Sequence, residues 1–173
     1  MLRTAVVIAL ALYMTSPAVA QDAVDPASVL KLFVGSWKTE ITFKPAEWTP
    51  EGRTVHGEMT IKPILNDKFI EETGRTLGED TEHRVLWGYD TRQQAFRCWF
   101  FDSQGTSIDW TGKWNPGTRT MVSEGDLPDG MKSNSEHRFL KPGYYEWTSV
   151  TKDKSGKVFL DMQGKHTRVK GDK

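Results

Sequence analysis

Trp37-Lys38-Thr39-Glu40-Ile41-Thr42-Phe43-Lys44 changes character at every step. Trp37, Thr39, Ile41 and Phe43 fall on one side, and Lys38, Glu40, Thr42 and Lys44 on the other. Successive side chains of a β-strand project to opposite faces, so a period of two describes a strand with one sheltered face. The rhythm returns in Val55-His56-Gly57-Glu58-Met59-Thr60-Ile61-Lys62. Beyond it, strands are predicted over 69–76, 82–89, 95–101, 108–114, 118–124, 135–140, 144–151 and 158–169, the last with a bend at Gly164.

The breaks between these runs have turn chemistry: Asn66-Asp67, Asp90-Thr91, Ser103-Gln104-Gly105, Asn115-Pro116-Gly117, Lys141-Pro142-Gly143 and 153–156. Short connectors imply antiparallel neighbours. The two longer ones, 45–52 and 125–134, are candidate rim loops. Strands do not alternate with helices, which removes the parallel α/β folds. One helix is predicted: Asp25 is an N-cap, Pro26 occupies the first turn, Val29, Leu30, Phe33 and Val34 make one apolar stripe, and Gly35 ends it. It is short enough to serve as a lid or plug. An all-β chain with ten strand candidates in up-and-down order suggests a single closed antiparallel barrel, because closure leaves no unpaired edge. Ten strands tilted by about 40° give a backbone radius of roughly 10 Å, wide enough to leave room for one modest ligand.

Working outward to the N-terminus, Arg3 precedes an uncharged, mostly apolar run over 5–14, and Ala18-Val19-Ala20 forms a small–x–small cleavage pattern. Residues 1–20 read as a signal peptide cut after Ala20, and residues 21–173 as one barrel domain exported to the periplasm or beyond. The apolar run is shorter than the roughly 20 residues of a membrane-spanning helix, so stable membrane insertion is not expected. The whole chain carries 23 basic and 23 acidic residues. Near-neutrality argues against a nucleic-acid binder, which needs a basic face. Cys98 is the single cysteine, so no intrachain disulfide forms, and its apolar-aromatic setting suggests an inert buried thiol. Seven Trp, eight Phe and four Tyr are ample material for a core.

Leu32-Phe33-Val34-Gly35-Ser36-Trp37 resembles the opening signature of calycin-like barrels, where a glycine–x–tryptophan begins the first strand beneath a short helix. The ordered set 65–72, Gly88-Tyr89-Asp90, Trp99 with Asp102-Ser103, and Gly112 is similar to the bacterial domain-of-unknown-function family 1579. The resemblance spans about 29–169. It implies a lipocalin-like barrel and an exported bacterial protein, and it implies no reaction. A cousin group, the nitrobindin-like barrels, holds haem through a C-terminal histidine, and His166 lies in a comparable strand. The surrounding motif differs, so no cofactor is expected.

The sequence's candidates for the barrel interior are Trp37, Ile41, Phe69, Glu71, Trp87, Arg97, Trp99, Trp110 and His166. The strand over 95–101 carries aromatics on both parities, and its inward face is open. Glu71 and Glu72 are adjacent, so they point to opposite faces and cannot form a carboxylate dyad. An inward glutamate needs a donor such as Arg75, Arg97 or His83. His56, His83, His137 and His166 lack metal-ligand spacing; no metal site is expected, and surface or singly bonded histidines are. No GxSxG elbow, Walker or dinucleotide glycine pattern occurs, and no catalytic residue is assigned. The leading expectation is binding of a small, largely apolar or amphipathic molecule inside the barrel. Two readings compete: a hydrolase or isomerase in the same pocket, with His83 or a carboxylate as base, and a packed scaffold acting through its outer surface.

Overall fold

The computed structural model describes residues 24–170. The expected signal peptide and its cut after Ala20 lie outside the described residues. Helix α1 spans Pro26–Phe33. Ten strands follow: β1 (Gly35–Phe43), β2 (Arg53–Ile64), β3 (Phe69–Thr76), β4 (Glu82–Asp90), β5 (Ala95–Asp102), β6 (Ser107–Asn115), β7 (Thr120–Asp126), β8 (Lys132–Lys141), β9 (Tyr144–Lys152) and β10 (Val158–Arg168). Each pairs antiparallel with the next, and β1 pairs with β10, which closes the sheet. The alternation along β1 thus marks a wall with an inside and an outside. The loop over 125–134 is shorter than predicted: β7 runs to Asp126, a turn of 3-10 helix covers Pro128–Gly130, and β8 starts at Lys132.

Helix α1 begins where Asp25 accepts hydrogen bonds from the backbone of Ala27 and Ser28 at 3.1 and 3.2 Å. It plugs one end. Phe33, 1% exposed, stacks on Trp87 at 5.3 Å and meets Phe139 and Tyr145 edge-on at 4.7 and 5.7 Å. Trp37 Nε1 donates to the Phe33 carbonyl at 2.8 Å, tying the helix to β1. Arg168, from the last strand, donates to the Val34 carbonyl at 2.6 Å and lies over the Trp37 ring at 4.4 Å. Gly35 has φ 137°, and a Cβ there would collide with the Arg168 guanidinium. The glycine is therefore the first residue of β1, freeing both the backbone turn and the arginine's place.

The outer wall carries charge on strand after strand: Lys38, Glu58, Arg75, Arg84, Arg138 and Lys165 are all exposed. Membrane-spanning barrels turn an apolar band outward, and these positions do not supply one. Among the described residues no helix is long and apolar enough to cross a membrane.

Candidate functional site

Register decides which side chains enter the barrel, because residues directly opposite in a ladder share a face. Buried Trp37 fixes the inward parity on β1. Its ladder partners carry that parity through Met59, Gly74 and His83, and so around the barrel. Trp37, Ile41, Trp87, Trp110 and His166 face inward. Phe69, Glu71, Arg97 and Trp99 do not, which corrects their expected inward placement. Phe69 is opposite Gly88, Arg97 opposite Gly88 and Trp99 opposite Leu86, all of outward parity. They form an external cluster instead: Arg97 lies 5.6 Å over the Trp99 ring, Phe69 lies 6.5 Å from it, and Asp109 accepts from Arg97 at 2.7 Å. Glu71 reaches the outward Arg84 at 3.4 Å. The inward carboxylate is Glu72.

Burial grades along the inside. At the α1 end Trp37, Ile61, Ile70, Trp87, Phe96, Met121, Phe139 and Tyr145 are all buried. Ile41, Val55, Phe100, Ile108, Trp110, Leu160 and Met162 also face inward, yet each keeps partial exposure to solvent. An inward side chain reached by water requires an open lumen. Its mouth lies away from α1, ringed by the loops over 44–52, 77–81, 103–106, 127–131 and 153–157. Composition makes room for it. On β7, β8 and β9 the inward positions include Ser123, Gly125, Ser133, Ser135, Ser149 and Thr151, so small hydroxyl residues face the aromatic wall of β4–β6.

Polar groups converge at mid-depth. Three of the four histidines point inward: His83 and His166 are singly bonded, as expected, and His137 is neither at the surface nor hydrogen-bonded through Nδ1. His83 Nε2 meets Glu72 Oε1 at 2.9 Å. Trp147 Nε1 donates to His166 Nε2, and Gly164 permits this because a Cβ there would collide with the Trp147 indole. Gly164 thus serves a close approach, beyond the bend predicted from sequence. His137 stacks against Trp147 at 6.2 Å and His166 against Tyr145 at 4.5 Å. Burial lowers the His137 pKa to about 4. Burial, with the positive potential of His137 and His83, lowers that of His166 to about 3. Both rings are neutral at pH 7. Since His166 Nε2 accepts a hydrogen bond, its proton sits on Nδ1. That Nδ1 has no partner, and neither do His137 Nδ1, Trp110 Nε1 or Ser123 Oγ, all of them buried. Among the described residues no three His, Cys, Asp or Glu side chains are grouped to hold a metal.

A second concavity, of about 560 Å³, opens beside the outward Glu58, Thr60, Thr73, Arg75, Arg84 and Phe101, and Met59, Gly74, His83 and Asp102 of inward parity also border it. Its charges are already matched, Arg75 with Glu58 at 3.3 Å and Arg84 with Glu71. The lumen, with buried polar atoms unmatched, is the better candidate site.

The family described as "Protein of unknown function (DUF1579)" matches residues 25–168, and the chain belongs to it. No curated protein matches the chain. Among solved structures, EF1p2_mFAP2b bound to DFHBI is 16% identical with a TM-score of 0.39, covering 84% of this chain and 100% of that one. A redesigned beta barrel is 17% identical with a TM-score of 0.38, covering 84% and 96%. A protein of the DUF3598 family from Nostoc punctiforme is 7% identical with a TM-score of 0.29, covering 85% and 100%.

Proposed function

We propose that this DUF1579 barrel binds one small, largely apolar, planar molecule in its lumen, entering by the mouth opposite α1. The observation that carries the reading is the set of unmatched polar atoms on Trp110, Ser123, His137 and His166, buried beneath an aromatic lining that water reaches. A buried polar atom left unpaired costs about 1–3 kcal/mol, and a ligand that pairs it recovers part of that. The His166 Nδ1–H and Trp110 Nε1–H are donors, so the matching ligand carries an acceptor such as a carbonyl oxygen. Both atoms are shielded from water, so reaching them takes rotation of lining side chains. Aromatic walls at Phe100, Trp110 and Trp147 supply flat apolar contact to the remainder. The reading needs no metal or cofactor.

Export belongs to the same proposal. Arg3, the apolar run over 5–14 and Ala18-Val19-Ala20 support delivery of residues 21–173 to the periplasm or the medium, and N-terminal sequencing of the exported protein tests it. Native mass spectrometry of protein purified from its source tests binding. A bound small molecule, or a rise in melting temperature with a member of a lipid and metabolite panel, is the expected result. Bare protein throughout, with no shift from any compound, overturns the reading.

A further inference from the structure

We propose that Glu72 and His83 form a general-base pair that takes a proton from carbon on a conjugated molecule held in the lumen. The inference rests on the lumen-binding reading and adds a reaction to it. The two side chains come from neighbouring strands and share the inward parity. They are 13% and 22% exposed, so water reaches them, and His83 also borders the concavity beside Arg75 and Arg84.

A pair with a purely adhesive role is placed at least cost on the outer wall. One residue away Glu71 and Arg84 form such a pair, as do Glu58 and Arg75. Placing an acid and an imidazole inside instead incurs desolvation that an adhesive pair on the outer wall avoids. The imidazole is also held in one pose. A Cβ at Gly74 would collide with His83 Cε1, so the absent side chain is what lets the ring lie flat against β3. Phe100 stacks over it at 5.9 Å and 20°.

With Nε2–H donating to Glu72, the neutral ring carries its lone pair on Nδ1, which has no partner among the described residues. Across Phe100, 6.5 Å further on, lies the indole of Trp110 with its unmatched N–H. Base and donor thus lie on either side of the Phe100 ring, and displacement of that ring by a flat ligand gives the arrangement that removal of a proton beside a carbonyl requires. The C–H bond breaks and the proton passes to His83 Nδ1. The electron pair enters the conjugated system, and the oxygen where charge collects accepts from the Trp110 N–H. The Glu72 carboxylate offsets the imidazolium. Return of the proton to another carbon, or departure of a leaving group already on the ligand, completes the step without oxidant or reductant. Glu72 is a positioning residue and His83 the base.

The probe is 5-nitrobenzisoxazole, a flat aromatic whose C3 proton is removed as its N–O bond breaks, giving a coloured cyanophenolate. Quenching of tryptophan fluorescence measures its binding separately. The expected result is saturable turnover by the unaltered chain, lowered about 100-fold or more in H83A and H83Q with binding held within about twofold. Added imidazole partly restores H83A above the rate of imidazole alone, a readout that lost packing would not give. E72Q lowers kcat about 10-fold with KM unchanged, and E71Q on the outer wall changes neither. Quenching with no turnover above that of H83Q overturns the base pair and leaves the binding reading standing. Absence of quenching overturns both.

Discussion

Acidification from pH 7 to pH 5 should remove about 4 kcal/mol of stability through two histidines alone. His137 and His166 have folded pKa values lowered to about 4 and about 3, chiefly by burial. In the unfolded chain each returns to about 6.5. Between those values the unfolded state binds more protons, so stability rises with pH through the window and is complete above about pH 6.5. At pH 5 each unfolded histidine is favoured by about 1.5 pH units, or about 2 kcal/mol per residue at 1.36 kcal/mol per unit. The sum is a large share of the 5–15 kcal/mol that holds a typical domain together. Unperturbed carboxylates titrate near pH 4, below this window, so the slope from pH 6.5 to 5 belongs to imidazoles. Glu72, His83, Tyr89, Cys98, Asp102, Tyr145 and Arg168 are the charged or titratable groups of inward parity that share the interior with them, and burial raises the Cys98 and Tyr145 groups out of this pH range. Urea unfolding followed by tryptophan fluorescence at half-unit steps of pH measures the slope. H137Q and H166Q should each remove about half of it. A flat profile from pH 7 to 5, or a slope that neither substitution changes, refutes the desolvation of these two rings.

Three further outcomes test other parts of the structure. F33A removes the ring that stacks on Trp87 and meets Phe139 edge-on, and should cost about 3–5 kcal/mol in urea unfolding, as large-to-small core changes do. E71Q should stay within about 0.5 kcal/mol of the unaltered chain, because its pair with Arg84 is a wet one on the outer wall. Burial, with the negative potential of Glu72 and Asp109, raises the Cys98 thiol well above its ordinary range. A disulfide reagent at pH 8 should therefore leave folded Cys98 unlabelled for hours and label it within minutes in denaturant.

The strands were legible because a wall wet on one side and sheltered on the other imposes the period of two. The faces of β3 and β5 were not. Phe69-Ile70-Glu71-Glu72 puts one apolar and one acidic residue on each parity, so alternation alone leaves both orientations equal. Pairing with β2 decides it, by setting Glu72 beside the buried Ile61. On β5, Phe96, Cys98 and Phe100 go inward, while Trp99 is sheltered outside by Phe69 and the Arg97 stem, so both faces read as apolar. His137 was missed because Ser133, Ser135 and His137 give β8 a polar inner face beside a polar outer one. The available signal was Phe139: stepping back by twos from that aromatic places all three inside.

The central claim is a water-reachable lumen in which the Trp110 indole N–H awaits an acceptor. Its most direct test is a titration of the 15N-labelled chain with prodan, a neutral planar ketone, following the indole N–H signals of the seven tryptophans. The account predicts that Trp110 moves most, that Trp147 follows, and that Trp99 and Trp48 stay in place. In W110F, prodan should bind about 5- to 10-fold more weakly, the worth of one hydrogen bond of about 1 kcal/mol. Movement confined to Trp99 and Trp48, or none at all, would contradict it.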